Sequence, residues 1–144
     1  ALTQRADSRG WLAEVFRSDE MRPDLMPAMA YVSVTHSGVA RGPHEHREQT
    51  DVFGFLGPGT FLVKMWDNRK ASPTYGRRMS VTAGEGRPTV VVVPPGVIHG
   101  YRNVSPADAF VLNLPNRLYA GVGRKSPVDE VRHEDGASPD FTMD

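Results

Sequence analysis

The chain has no cysteine among its 144 residues. That excludes disulfide staples and thiolate metal sites, and leaves imidazoles and carboxylates to hold any metal. Net charge is missing too. Seventeen Lys and Arg offset seventeen Asp and Glu, and no basic run exceeds a pair. The electrostatic footprint of a nucleic-acid binder is therefore lacking. Apolar runs are short: a stretch such as Val90 to Val93, closed by Pro94 and Pro95, falls far below the roughly 20 residues of a membrane-spanning helix. No signal-peptide pattern opens the sequence, which gives a cytoplasmic location and no membrane partner as expectations. A chain of this length has the size of one domain.

What is abundant is punctuation. Fourteen glycines and twelve prolines cut the chain into short pieces rich in Val, Phe, Tyr and Thr, the texture of strands joined by turns. The expected strands are 11–16, 28–35, 38–41, 49–56, 59–67, 77–82, 89–93, 99–103 and 108–113. Gly57-Pro58-Gly59 and Gly84-Glu85-Gly86 read as hairpin turns. Residues 18–25 read as a helical turn capped by Ser18 and limited by Pro23. Phe53, Phe55, Phe61 and Trp66 read as barrel wall or core, and His36 and His133 as surface residues. Short strands at this density predict an all-β sandwich, jelly roll or barrel, a class that often encloses one ligand. One domain is expected over 1–144. Within it, 1–17 is an N-terminal strand region, and 120–144, charged and poor in apolar residues until Phe141, is an extension or flap.

The most informative segments are Gly38-Val-Ala-Arg41-Gly42-Pro-His44-Glu-His46-Arg-Glu-Gln49-Thr-Asp51 and Pro94-Pro-Gly96-Val-Ile-His99-Gly-Tyr-Arg-Asn103. Residues two apart on a strand face one side, so His44 and His46 can point together into a barrel. The two segments resemble the paired motifs of the cupin superfamily, with Asp51 where that pattern usually has glutamate. The resemblance implies a cupin fold, a double-stranded β-helix or jelly-roll barrel, with His44, His46, Asp51 and His99 converging inside it.

Within that superfamily the chain resembles the dTDP-4-dehydrorhamnose 3,5-epimerases. Asp7-Ser-Arg9-Gly10-Trp11-Leu-Ala-Glu14-Val-Phe16 is similar to the family's opening strand, which pairs across a dimer. Gly38 to His44, Asp67-Asn-Arg69, Ser72-Pro-Thr-Tyr-Gly76 and Pro95-Gly96-Val-Ile-His99-Gly100-Tyr101 are similar to further family segments. The resemblance implies an isomerase that epimerises a nucleotide-linked 4-keto-6-deoxy sugar by removing a proton next to the carbonyl, working without a cofactor and forming a homodimer. It further implies His44 as base and Asp135 as the acid orienting it, with Tyr119 as a proton donor that would replace the family's tyrosine only through a shifted loop. Arg9, Glu14, Arg41, Gln49, Arg69 and His99 would bind substrate, with Arg9 and Arg41 as forks for diphosphate.

Four positions depart from the family pattern. The family lysine falls on Asp51, its catalytic tyrosine on Leu112, and its nucleobase-side Gln and Asn on Met29 and Tyr31. A further difference is His46, which stands where the family usually has an aromatic residue or another non-ligand, and it and Asp51 both add metal ligands. A second reading is therefore a metal-dependent cupin that binds Fe, Mn, Ni or Zn through His44, His46, Asp51 and His99 and acts on a small sugar-like or organic-acid substrate. A third is a cupin that binds a sugar nucleotide without turning it over.

Overall fold

The computed structural model describes residues 1–134 and 140–144. Eleven strands occupy Arg5–Asp7 (β1), Gly10–Leu12 (β2), Tyr31–Thr35 (β3), Ala40–Glu45 (β4), Asp51–Phe55 (β5), Thr60–Asp67 (β6), Arg78–Gly84 (β7), Thr89–Val93 (β8), Val97–Asn103 (β9), Ala109–Asn113 (β10) and Val131–Arg132 (β11). A four-stranded sheet in the order β3-β10-β5-β8 faces a five-stranded sheet in the order β11-β4-β9-β6-β7. All pairings are antiparallel. This is the expected all-β jelly roll. No helix of the described residues is long and apolar enough to cross a membrane.

Strand alternation builds the core. Phe53 and Phe55 on β5, Val91 and Val93 on β8, Phe61 and Val63 on β6, and Tyr101 on β9 form one buried cluster between the sheets. Each such side chain contributes roughly 1.5–3 kcal/mol when fully buried. Trp66, an odd number of residues from Phe61, falls on the outer face of the five-stranded sheet. There it forms a second cluster with Ile98 and Met143, flanked by Phe141, so the C-terminal residues cover a wall that would otherwise be wet. Gly100 makes room for this cover, because a Cβ there would lie 2.7 Å from the Met143 sulfur.

Several elements differ from expectation. The segment 11–16 shortens to β2, which folds back on β1 as a hairpin; the alternating signal of so short an outer piece does not reveal its partner. Residues 18–25 hold turns and a 3₁₀ turn at Pro23–Leu25, with no side-chain cap. The strand expected at 38–41 runs on through Gly42 and Pro43 to Glu45. His36 is exposed and bonded to Asp108 (2.9 Å). His133 is not a free surface residue: half-buried, it meets Glu45 at 3.1 Å and the edge of Phe141.

Candidate functional site

The site sits where β4, β5 and β9 end together. His44 on β4 lies directly opposite His99 on β9, and Arg41 opposite Tyr101, with a register irregularity between the two pairs. Three residues on β4 thus face two steps on β9. In an unbroken strand residues three apart face opposite sides, and the extra residue keeps both Arg41 and His44 on the inner side. Gly42 makes the bulge possible. Its φ is +77°, and a Cβ would sit 2.7 Å from the His99 carbonyl oxygen, so a side chain is excluded both by conformation and by space.

The four predicted residues converge. The His44, His46 and His99 rings lie within 5.9 Å of one another by their centroids, and one ligand atom from each of His44, His46, Asp51 and His99 lies within 4.8 Å of the others. Asp51 and His99 are buried, and His44 and His46 are partly so. Every outward-facing atom of the buried part is fixed. His99 Nδ1 donates to the Val97 carbonyl (3.0 Å) and His46 Nδ1 to the Asp129 carbonyl. Asp51 Oδ1 accepts from Gln49 Nε2 and Asn113 Nδ2, both at 2.9 Å. With both Nδ1 atoms carrying their protons, His46 Nε2 and His99 Nε2 present lone pairs to Asp51 Oδ2 at 3.0 and 3.2 Å.

Acceptor therefore faces acceptor inside the protein. Among the described residues Asp51 Oδ2 and His99 Nε2 have no hydrogen-bond partner, although buried polar atoms are normally paired. A proton or a cation is what this geometry accommodates. The donor set of imidazoles and one carboxylate, with the His46 and His99 rings held from behind by carbonyls, suits a divalent ion. Protonation of His46 Nε2 turns one opposed pair into a donor bond to the Asp51 carboxylate, and the charges favour that state. Burial alone would push the Asp51 carboxyl up, but the His46 and His99 rings beside it hold it well below the usual carboxylate range. For His46, burial disfavours the imidazolium, yet Asp51 and the Asp129 carbonyl outweigh it and raise the value. His44 goes the other way: burial, reinforced by His99 and His46, pushes it down to about 3. It is neutral at physiological pH, and its ring nitrogens have no hydrogen-bond partner among the described residues.

A cavity of about 1360 Å³ opens in front of His44 and His46, roomier than the typical pocket of about 300–1,000 Å³ for a drug-sized ligand. Of the residues expected to bind substrate or carry protons, Arg41, Gln49 and Tyr119 line it, whereas Arg9, Glu14, Arg69 and the buried His99 do not. Arg9 grips Asp7 at the tip of the β1-β2 hairpin (2.6 Å), Glu14 bonds Arg17 (3.2 Å), and Arg69 forms a fork on Asp67. Arg41 is anchored to β3 through Thr35 Oγ1 (3.0 Å) and the Val34 carbonyl (2.7 Å). Tyr119 lies on an exposed loop. Asp135 lies outside the described residues. Leu112 pairs with outward-facing Val32 on the far side of its sheet, so the inward position on β10 belongs to Asn113. Three inward residues carry no sequence signal of their own. Asn113 bridges Asp51 and the Tyr31 hydroxyl (2.9 Å each), Tyr31 reaches the cavity from β3, and Asp129 does so from the segment before β11.

Comparison with known proteins agrees with this architecture. Residues 1–125 match the family described as dTDP-4-dehydrorhamnose 3,5-epimerase. A probable low-salt glycan biosynthesis epimerase, Agl13 of Haloferax volcanii, is 37% identical over 82% of this chain and 76% of its own. The spore coat polysaccharide biosynthesis protein SpsL of Bacillus subtilis is 34% identical over 82% and 77%. Among solved structures, NovW of Streptomyces spheroides, a 4-keto-6-deoxy sugar epimerase, superposes with a TM-score of 0.80 at 27% identity, covering 99% of this chain and 71% of its own. The 3'-monoepimerase ChmJ of Streptomyces bikiniensis, solved with dTDP-quinovose, gives 0.77 at 26% identity, covering 91% and 66%.

Proposed function

Because the chain belongs to the dTDP-4-dehydrorhamnose 3,5-epimerase family, we propose that it epimerises a nucleotide-linked 4-keto-6-deoxy sugar through His44. One observation carries the assignment: His44 is neutral, lacks a hydrogen-bond partner among the described residues and faces the cavity, which are the properties of a base with its lone pair free. The 4-keto group acidifies the hydrogens on C3 and C5. His44 takes one as a proton, the electron pair moves onto the carbonyl oxygen, and the resulting enolate regains a proton at carbon from the opposite face.

The proton for that face would come from Tyr31. It stands on β3, in the sheet opposite the one that carries His44. Asn113 donates to its oxygen, so the phenol's own proton is free to leave. Burial, only partly offset by the Asn113 bond, pushes its pKa up and keeps it protonated. Tyr101 lies beside His44 in the same sheet and would serve the same face. Tyr119, on its loop, would contact the sugar nucleotide beyond the reacting carbon. Arg41, with Gln49, would hold the diphosphate side. Arg9 and Glu14 would approach a cavity only from a second copy of the chain. A homodimer is supported by the exposed apolar outer face of the four-stranded sheet, with Val32 at 61% and Val92 at 44% exposure. Light scattering that finds only monomer would contradict the dimer.

The test is turnover of dTDP-4-keto-6-deoxyglucose and related nucleotide keto-sugars. A new epimer at C3 or C5 supports the assignment, and a panel returned unchanged removes it. The opposed lone pairs of Asp51 and His99 favour a second reading, a divalent Fe, Mn, Ni or Zn ion held by His46, Asp51 and His99, with His44 completing the set. Such an ion supplies Lewis-acid polarisation of a substrate oxygen. A histidine that spends its lone pair on the ion is no longer a free base, so His44 cannot serve both roles at once. Metal analysis of untagged protein decides: content that stays near zero on titration eliminates this reading.

A further inference from the structure

Asp129 makes four bonds to one short stretch of chain. Its carboxylate accepts the backbone N–H groups of Arg47, Glu48 and Gln49, each at 2.9 Å, and its carbonyl accepts the Nδ1 proton of His46. The turn between β4 and β5 is thus held by a residue some eighty positions later. The segment that supplies it also forms a wall of the cavity: Leu118, Tyr119, Val128 and Glu130 line the space, and two residues after Asp129 the chain pairs with β4, Val131 opposite Glu45 and Arg132 opposite His44. Bonds from N–H groups to a carboxylate are among the stronger hydrogen bonds, and three of them converge here on one side chain.

We propose that Asp129 is a positioning residue that sets the tautomer of His46 and so couples the C-terminal wall of the cavity to the histidine cluster. While Asp129 is docked, the single proton of the neutral His46 ring is on Nδ1 and the Nε2 lone pair faces Asp51 and the Gln49 amide, 3.3 Å away. If the wall leaves, Nδ1 loses its acceptor, and the proton is better placed on Nε2, where Asp51 Oδ2 is waiting to receive it. That switch consumes both the Nε2 lone pair and the Asp51 oxygen. The cluster has its lone pairs available only when the wall is closed, so a ligand that stabilises the closed wall and any group that uses those lone pairs must favour each other. The inference does not depend on which sugar, or which chemistry, the site serves.

The test is nitrogen-15 NMR of histidine-labelled full-length protein, together with amide hydrogen exchange, on the wild type, Asp129→Ala, Asp129→Asn and Lys125→Ala. At alkaline pH, where the His46 ring is neutral, wild type and Lys125→Ala are expected to show it as a single Nδ1–H tautomer with protected amides at 47–49. In Asp129→Ala these amides exchange at least tenfold faster and the His46 signal moves to the Nε2–H form or to an average of the two. Asp129→Asn keeps one acceptor oxygen but turns an N–H2 toward backbone donors. It is expected to show the same tautomer change with a smaller loss of protection, and it is decisive if Asp129→Ala does not fold. Folded Asp129→Asn or Asp129→Ala protein with lower thermal stability but an unaltered His46 tautomer would overturn the proposal, because a purely structural anchor acts in that way.

Discussion

The two ends of the barrel interior are made from the same strands and do opposite things. On β5 the inward residues run Asp51, Phe53, Phe55, and on β9 His99, Tyr101, Asn103. Deep in the barrel the alternation delivers aromatic rings, with Phe55, Phe61 and Tyr101 meeting edge-on or tilted at 5.4–5.6 Å between centroids. At the mouth the same alternation delivers an aspartate and imidazoles whose lone pairs oppose one another. One end contributes stability. The other gives some of it up to hold groups in an arrangement that a protein built only to fold would avoid.

Four experiments test that contrast. The largest effect is expected from His44→Gln, which should lower epimerisation by about 10²–10⁴-fold while leaving the thermal transition near that of the wild type. Turnover that survives the change would remove His44 from the chemistry. Phe55→Ala, at 0% exposure, should cost about 3–5 kcal/mol in denaturant unfolding with little effect on turnover by the protein that remains folded. A cost below about 1 kcal/mol would mean that the aromatic end is not the stabilising one.

The third experiment uses pH. His44 has a folded value of about 3 against an ordinary 6.5, so below pH 6.5 the unfolded chain takes up a proton that the folded one refuses. Its contribution is complete above 6.5 and is lost as pH falls. Between pH 6.5 and about 4 the unfolding free energy should decline with a slope approaching 1.4 kcal/mol per pH unit, and His44→Gln should flatten it. His46, raised, loses its contribution only above 6.5, and Asp51, lowered from 3.8, only below that value, so the window isolates His44. The smallest effect is expected from Asp51→Asn. Its amide would donate to the His99 lone pair and raise stability by about 1 kcal/mol, with loss of any cation uptake. Destabilisation by this variant would contradict the picture of opposed acceptors.

Sequence reading reached the mouth of the barrel more easily than its surroundings. His44 and His46 declare themselves through strand parity, Asp51 and His99 join them through the resemblance to the paired cupin motifs, and Trp66 could have been set apart from Phe61 by parity. Asn113, Tyr31 and Asp129 could not. Each acts through a partner 62 to 83 residues away, and their side chains are ordinary for the strand or loop that carries them. The bulge at Gly42 was likewise hidden, since Gly-Pro reads as the end of a strand. Here it lets Arg41 and His44 share a face.

The most direct measurement is deuterium wash-in from D₂O at C3 and C5 of dTDP-4-keto-6-deoxyglucose, followed by NMR on chelator-treated protein beside His44→Gln. The account predicts exchange next to the carbonyl that persists after chelation and disappears with His44. Undiminished exchange in His44→Gln, or none in the wild type, would contradict it.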